Sequence, residues 1–197
     1  KDIDAVYIPL PTGLRTEWVL AAARAGKHIV AEKPAGLNAG EVEQILDTST
    51  KHGVQYMDGV MFMHSARLPQ IRKTLDDGIS VGNIRRISTQ FSFCSDSEFR
   101  SKNIRSSSLA EPHGCLGDLG WYCIRMILWT MGWKKPLHVV GRTIDVFQGE
   151  GSPQPVPAEF TGEMQFEGGV SAGFYCSFKT HHQQWAHISG DKGFVYV

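Results

Sequence analysis

The sequence has little that would suit a membrane, a nucleic acid or a targeting signal. Its 20 Lys and Arg residues balance 20 Asp and Glu residues, so no surplus of positive charge is available for nucleic acid phosphates or an anionic membrane surface. The apolar runs stop well short of the roughly 18 to 20 residues that a membrane-spanning helix needs, and the N-terminus lacks the apolar core of a signal peptide. We therefore expect small-molecule partners, neither nucleic acid nor membrane, and a cytoplasmic location.

Two further motifs are missing. The 4 cysteines are widely scattered, without a C-x-x-C pair or a metal-ligand spacing, which predicts neither a disulfide framework nor a metal site. No G-x-G-x-x-G run occurs in a strand-to-helix setting, although this loop binds the pyrophosphate of a dinucleotide in Rossmann folds. The first residue is not Met and the chain enters in the middle of a strand and helix alternation. We therefore expect a fragment that lacks the first strands of such a domain, roughly 70 residues in its relatives.

The first part of the chain alternates short strands with helices. Residues 16–25 read as one helix, and Asn38 and Glu41 stand at capping-box spacing ahead of a second. The β-prone runs are residues 5–8, 28–31 and 54–57. This alternation predicts right-handed crossovers and a parallel sheet, with ligands at the carboxyl ends of the strands.

The second part of the chain is rich in strands. One long helix is predicted at 115–131, and residues 191–193 form a predicted hairpin turn before a last strand that the C-terminus cuts short. The β-prone segments are residues 84–93, 139–147, 160–166 and 170–178. Short Gly-containing turns favour antiparallel pairing. The predicted fold class is α/β: the C-terminal part of a Rossmann parallel sheet in residues 1–60, then an α+β domain with a large, mainly antiparallel, open-faced sheet in 61–197.

Three segments carry candidate chemistry, and their order resembles a known family. They are Glu32-Lys33-Pro34 after a strand, Asn103-Ile104-Arg105 in a loop, and the G-D-x-G-x-Y run from Gly117 to Tyr122. Together they resemble the glucose-fructose oxidoreductase, inositol dehydrogenase and rhizopine-catabolism (Gfo/Idh/MocA) family, nearest its dimeric dihydrodiol dehydrogenase and D-xylose dehydrogenase branch and plant relatives. The resemblance implies hydride transfer between NADP or NAD and a hydroxyl of a sugar, polyol or trans-dihydrodiol, in a homo-oligomer paired through the open sheet.

The resemblance also implies roles for individual residues. Lys33 would lie beside the nicotinamide, and Tyr122 would exchange a proton with the substrate hydroxyl, with Asp118 as a third catalytic residue. Around Met61 the chain departs from the dihydrodiol branch, which has a tryptophan there. A cis bond is expected between Lys33 and Pro34. The implied cofactor-binding residues are Pro9, Pro11, Thr12, Glu32, Lys33, Pro34 and Arg105, and the implied substrate-binding residues are Asp118, Tyr122, Met61 and Phe62.

Elementary electrostatics supports the pairing of Lys33 with Tyr122. A free tyrosine titrates near pH 10, so a tyrosine that acts as a base near neutrality needs roughly 4 kcal/mol of help. One ammonium about 4 Å away supplies about that much at an effective dielectric constant of about 20. Asp118 lies four residues before Tyr122, so on a helix both side chains would share a face. There the carboxylate could accept a hydrogen bond from a substrate hydroxyl.

Each of these residues has a purely structural alternative. Lys33 and Arg105 are also explained as solvated residues, Tyr122 as a core residue, and Asp118 as a charge near a helix N-terminus. For the chain as a whole, the alternative to an enzyme fragment is a noncatalytic interaction module whose open sheet pairs with another chain.

Overall fold

The first of two sheets is small and parallel. The structure is a computed structural model that describes residues 2–197. In it, this first sheet has the strand order β1-β2-β3. Its strands are β1 (Ala5–Ile8), β2 (His28–Ala31) and β3 (Tyr56–Asp58). Ile8 pairs with Ala31, and Ala31 pairs with Asp58. The three strands therefore end at the same level, and the loops that follow them share one edge of the sheet.

Two helices cover this sheet, as the alternation predicted. Helix α2 (Ala39–Lys51) begins as the capping-box spacing predicted, with the Asn38 side chain accepting a hydrogen bond from the Glu41 N–H at 3.0 Å. Helix α1 (Thr12–Arg24) starts one turn earlier than predicted. The buried residues between sheet and helices are Ile8, Val19, Leu20, Ala23, Ile29, Ala31 and Ile45.

The second sheet has six strands in the order β5-β6-β7-β4-β8-β9. Only β4 and β7 run parallel, so the prediction of a mainly antiparallel sheet is confirmed. The turn predicted at 191–193 joins β8 to β9. The strands are β4 (Ile84–Ser92), β5 (His138–Phe147), β6 (Val156–Gln165), β7 (Ser171–Ser177), β8 (Gln183–Gly190) and β9 (Phe194–Tyr196).

The long helix predicted at 115–131 is divided in two. A π-helical turn spans Leu116–Gly120, and helix α5 follows at Trp121–Thr130. Gly120 lies so close to β7 that an added Cβ would be 3.0 Å from Cys176 Sγ. A side chain at this position would force Cys176 or Leu116 to shift by a few tenths of an ångström, so glycine favours this close packing of the segment against the sheet. π-Helical turns occur frequently at functional sites.

Helix α5 covers one face of the larger sheet and leaves the other face open, as predicted. Cys123, Met126 and Ile127 of α5 lie in the main hydrophobic core with residues of β4, β7 and β8. Helices α3 (Arg67–Asp76) and α4 (Ser97–Lys102) were not predicted. None of the helices in residues 2–197 has the length and apolar character needed to cross a membrane.

Candidate active site

Lys33 connects the parallel sheet to the second part of the chain. It follows β2 at the carboxyl edge of the sheet, and its ammonium donates to the Asp118 carboxylate (Oδ1) and to the Asp118 main-chain carbonyl, both at 2.8 Å. The two side chains are only 12% and 14% exposed. The interpretation of Lys33 as an ordinary surface lysine therefore does not fit its position.

Asp118 binds two cations at once. Its second carboxylate oxygen accepts a hydrogen bond from Arg105 Nε at 2.7 Å. Arg105 follows the Asn103 loop, and the Asn103 side chain also accepts from the Arg105 main-chain N–H at 3.0 Å. The side chains of Lys33, Asp118 and Arg105 form one ion network. Arg105 therefore contacts Asp118 and does not stand free in solvent.

Tyr122 lies directly beside this network. The Lys33 ammonium stands over its ring, 4.6 Å from the centroid, and the rings of Phe62, Phe91 and Trp121 surround it with centroids 5.8, 5.6 and 5.1 Å away. The structure thus brings together Lys33, Asp118 and Tyr122, as the sequence analysis expected.

The pKa of Tyr122 differs from the expectation. Burial raises the pKa of Tyr122 above its ordinary value, and the carboxylates of Asp118 and Glu32 raise it further, while Arg105 acts in the opposite direction. The expected lowering of the pKa by Lys33 is not met, because burial of the phenol and the Asp118 carboxylate beside it both raise the pKa. In the protein without ligands, Tyr122 is therefore a neutral phenol at neutral pH and can donate a proton.

The residues expected to contact a cofactor lie on the loops at the carboxyl edge. Glu32 accepts a hydrogen bond from the Tyr7 hydroxyl at 2.6 Å, and the Lys33–Pro34 bond is cis, as the resemblance implied. Buried Arg15 donates to the carbonyls of Leu10 and Pro34. This guanidinium ties the loop after β1, which contains Pro9 and Pro11, to the loop after β2.

Thr12 differs from the other predicted cofactor contacts because it is buried and its polar groups are occupied. Its N–H and hydroxyl donate to the two oxygens of Glu111, at 2.9 and 2.7 Å. Glu111 thereby caps helix α1, whose own N-cap residue, Pro11, provides no side-chain hydrogen bond. Sequence reasoning missed Glu111, since it lies 99 residues away. The sequence offered no signal for this cap, because the helix was predicted to begin only at Thr16.

A second contact between the two parts of the chain was also missed. Asp58, at the end of β3, accepts from Arg125 Nη1 at 2.8 Å, and the Arg125 guanidinium lies over the rings of Trp121 and Trp133. The sequence did not mark this contact, because Asp58 and Arg125 lie 67 positions apart. This pair holds α5 against the carboxyl edge of the parallel sheet.

A pocket of about 200 Å³ opens beside Tyr122. Of the two predicted substrate contacts before α3, Phe62 lines this pocket, whereas Met61 does not and is 79% exposed. The pocket extends from Phe62 and Tyr122 to the edge of the larger sheet. Its other lining residues are Arg67, Thr89, Gln90, Phe91, Cys123, Met126, Gln184, Trp185, Ala186 and Val197.

Comparisons with known proteins place similar chains among NAD(P)-dependent enzymes. A dTDP-3,4-didehydro-2,6-dideoxy-alpha-D-glucose 3-reductase from Streptomyces violaceoruber is 33% identical over 132 residues, 67% of this chain and 37% of that protein. A trans-1,2-dihydrobenzene-1,2-diol dehydrogenase from Bos taurus is 28% identical over 198 residues, 98% of this chain and 54% of that protein. A 3-ketoreductase from Actinomadura kijaniata, solved with NADP and TDP-benzene, superposes with a TM-score of 0.86 at 27% identity and covers 100% of this chain and 57% of its own.

Two family models account for nearly the whole chain. Residues 1–60 match the oxidoreductase family with an NAD-binding Rossmann fold, and residues 69–196 match the GFO/IDH/MocA C-terminal domain. Matched relatives such as the bovine dehydrogenase are about twice as long, since the chain covers 54% of that protein. The chain belongs to the GFO/IDH/MocA family of oxidoreductases.

Proposed function

We propose that this chain is part of an NAD(P)-dependent oxidoreductase that transfers a hydride between a nicotinamide and a hydroxyl or carbonyl group of a sugar, polyol or trans-dihydrodiol. Residues 1–60 would contribute to the dinucleotide-binding domain, and residues 61–197 would bind the substrate. The observation that carries the proposal is the contact of Lys33 with both Asp118 and Tyr122 at the carboxyl edge of a parallel sheet. Ligands of such sheets bind at this edge.

Tyr122 is the proposed proton donor to the substrate oxygen. Because its pKa is raised, the phenol is in the form that protonates a carbonyl oxygen during reduction. Lys33, 4.6 Å from the ring centroid, would stabilise the phenolate that this step leaves behind. Asp118 holds the ammonium in place, and Arg105 holds Asp118. In the oxidation direction Tyr122 must first lose its proton, so we expect oxidation to become faster as the pH rises.

The loops at this edge fit a nicotinamide in their chemistry. They offer main-chain groups after β1 and β2, the Glu32 carboxylate and the Lys33 ammonium, with the two loops already fixed to each other by Arg15. Pro9, Pro11, Glu32, Lys33 and Pro34 are the proposed contacts. Thr12 would contact the cofactor only if it exchanged its hydrogen bonds to Glu111 for hydrogen bonds to the cofactor. The nicotinamide would supply or accept the hydride.

The open face of the larger sheet is the proposed site of homo-oligomer formation. Strand β5 exposes Val140 and Val146 on this face, with 74% and 47% of each residue accessible. Clustered exposed apolar residues commonly mark an interface.

A cytoplasmic location is proposed on the chemistry of the cysteines: all 4 are free, although the Cys115 and Cys176 sulfurs lie only 3.9 Å apart. Unpaired cysteines are typical of reducing compartments.

Two measurements on the full-length protein test the proposed function. NADP and NAD are titrated against it, and nicotinamide reduction is then followed with D-xylose and with a trans-dihydrodiol. We expect dinucleotide binding and turnover of at least one substrate class. A well-folded protein that binds neither dinucleotide and turns over neither substrate would contradict the proposal and favour the noncatalytic interaction module. The 197-residue chain alone should bind dinucleotide weakly, because it contains no G-x-G-x-x-G loop.

A further inference from the structure

Two ion pairs join the parallel sheet to the segment that carries Tyr122. The first is the pair of Lys33 with Asp118, which lies against the Tyr122 ring. The second is the pair of Asp58 with Arg125, at 2.8 Å and with both side chains 27% exposed. Tyr122 comes four residues after Asp118 and three residues before Arg125. It therefore lies about one helical turn from each ion pair, between the two.

The second ion pair also leads back to Lys33 through the parallel sheet. Asp58 is the last residue of β3, and the main-chain N–H of the residue after it donates to the Ala31 carbonyl at 2.6 Å. Ala31 ends β2 and lies two positions before Lys33. Asp58 is thus joined to the loop of the ammonium, whereas Arg125 belongs to the same helix as Tyr122. A shift of α5 away from Asp58 would change the distance between the phenol and the ammonium.

Two indoles hold the Arg125 guanidinium in place. Its Cζ lies 5.2 Å from the Trp121 ring centroid and 5.4 Å from the Trp133 ring centroid, within the range of cation–π attraction. The Trp121 ring also packs against the Tyr122 ring, with the two centroids 5.1 Å apart. Arg125 therefore reaches the phenol through the Trp121 ring and the parallel sheet through Asp58.

We infer that Arg125 is a positioning residue of the proposed reaction, and that through Asp58 and Trp121 it holds Tyr122 at its place beside Lys33. The inference rests on the proposed function for the role of Tyr122. The first ion pair acts on the π-helical turn before Tyr122, and the second restricts rotation of α5 about the first. Proton transfer needs a separation of about 2.6 to 3.2 Å between the heavy atoms, and a misplacement of about 1 Å can lower a rate about 100-fold.

Kinetics of Arg125→Leu in the full-length protein test the inference, with NADP or NAD and with D-xylose or a trans-dihydrodiol as substrate. We expect kcat and kcat/KM to fall together, by about 10-fold to 100-fold, while dinucleotide affinity stays the same. Arg125→Lys should recover part of this loss, because lysine keeps the charge for Asp58 but lacks the planar group that stacks on the indoles. Asp58→Asn removes the same ion pair by a smaller change and should also lower kcat. The double variant of Asp58→Asn with Arg125→Leu should fall no further than Arg125→Leu alone.

Arg72 provides a matched control on the other side of α5. Its guanidinium also lies over an indole, 4.5 Å from the Trp129 ring centroid, and it pairs with Asp76 at 3.3 Å. It contacts the C-terminal end of α5 through the carbonyls of Trp129 and Thr130, far along the helix from Tyr122. Arg72→Leu should therefore lower the urea midpoint and leave kcat unchanged. An equal fall of kcat in Arg72→Leu and Arg125→Leu would overturn the inference, since loss of stability alone would then explain both.

Crystal structures of the full-length protein and of its Arg125→Leu variant separate this inference from the proposed function. The distance from Lys33 Nζ to the Tyr122 ring centroid, 4.6 Å here, should increase by about 1 Å in the variant. An unchanged distance, or an increased distance with unchanged kcat, overturns the inference. An increased distance in a protein that turns over no substrate supports the positioning of Tyr122 by Arg125 and contradicts the proposed function instead.

Discussion

The ion pair between Lys33 and Asp118 can be tested by removing each partner alone and both together. The variants are Lys33→Met, Asp118→Asn and the double variant of the full-length protein. At 2.8 Å and an effective dielectric constant of about 20, the direct attraction is about 6 kcal/mol, and desolvation of the two charges offsets much of it. With 12% and 14% of the side chains exposed, the pair lies between a surface pair and a fully buried one. We expect either single change to cost about 2 to 3 kcal/mol.

The double variant separates the free energy of the interaction between Lys33 and Asp118 from the other effects of each substitution. If the two side chains stabilise each other, the double change costs less than the sum of the single changes, by at least about 1 kcal/mol. Free energies of unfolding from urea titrations provide the measurement. The control is the pair of Arg72 with Asp76 on α3, 3.3 Å apart and 32% and 60% exposed, where the coupling should stay below about 1 kcal/mol. Additive single changes at Lys33 and Asp118 would refute the reasoning.

Three further predictions concern stability and thiol reactivity. Burial raises the pKa of Tyr56 to about 12, so stability that is fully present below pH 10 should be lost as the pH rises through 12. The loss is at most about 3 kcal/mol, and urea titrations of Tyr56→Phe should show a smaller alkaline loss. Glu111→Ala should lower the free energy of unfolding by about 1 kcal/mol, as the loss of a helix cap does, and an unchanged urea midpoint would contradict its capping role. A thiol reagent should modify exposed Cys94 quickly in the native protein; rapid modification of all 4 thiols would contradict the burial of Cys115, Cys123 and Cys176.

Much of the fold follows from local sequence patterns. Strands β1 and β2 occupy the predicted residues, Asn38 caps α2 as its spacing with Glu41 indicated, and the turn at 191–193 joins two antiparallel strands. These features depend on residues that are close in sequence, so their physical causes are visible there. The resemblance then placed Lys33 and Tyr122 near each other, which no local pattern could do.

The features that the sequence did not predict depend on distant contacts. Glu111 reaches Thr12 across 99 residues, and Arg125 reaches Asp58 across 67, so neither partner is marked by its neighbours. The π-helical turn at Leu116–Gly120 lies where Gly120 closely approaches Cys176 of β7, a contact that the local sequence does not show. The raised pKa of Tyr122 likewise depends on burial and on the carboxylates of Asp118 and Glu32 around the ring, whereas the sequence argument considered the ammonium of Lys33 alone.

The most direct test of the proposed chemistry is the turnover of Tyr122→Phe in the full-length protein, compared with Tyr196→Phe, which removes a hydroxyl from an exposed ring on β9. Because Tyr122 is the proposed proton donor, its loss should lower kcat about 100-fold or more while dinucleotide affinity stays the same, and Tyr196→Phe should leave both unchanged. Unchanged turnover in Tyr122→Phe would show that another group transfers the proton and would contradict the proposed role of the contact between Lys33 and Tyr122.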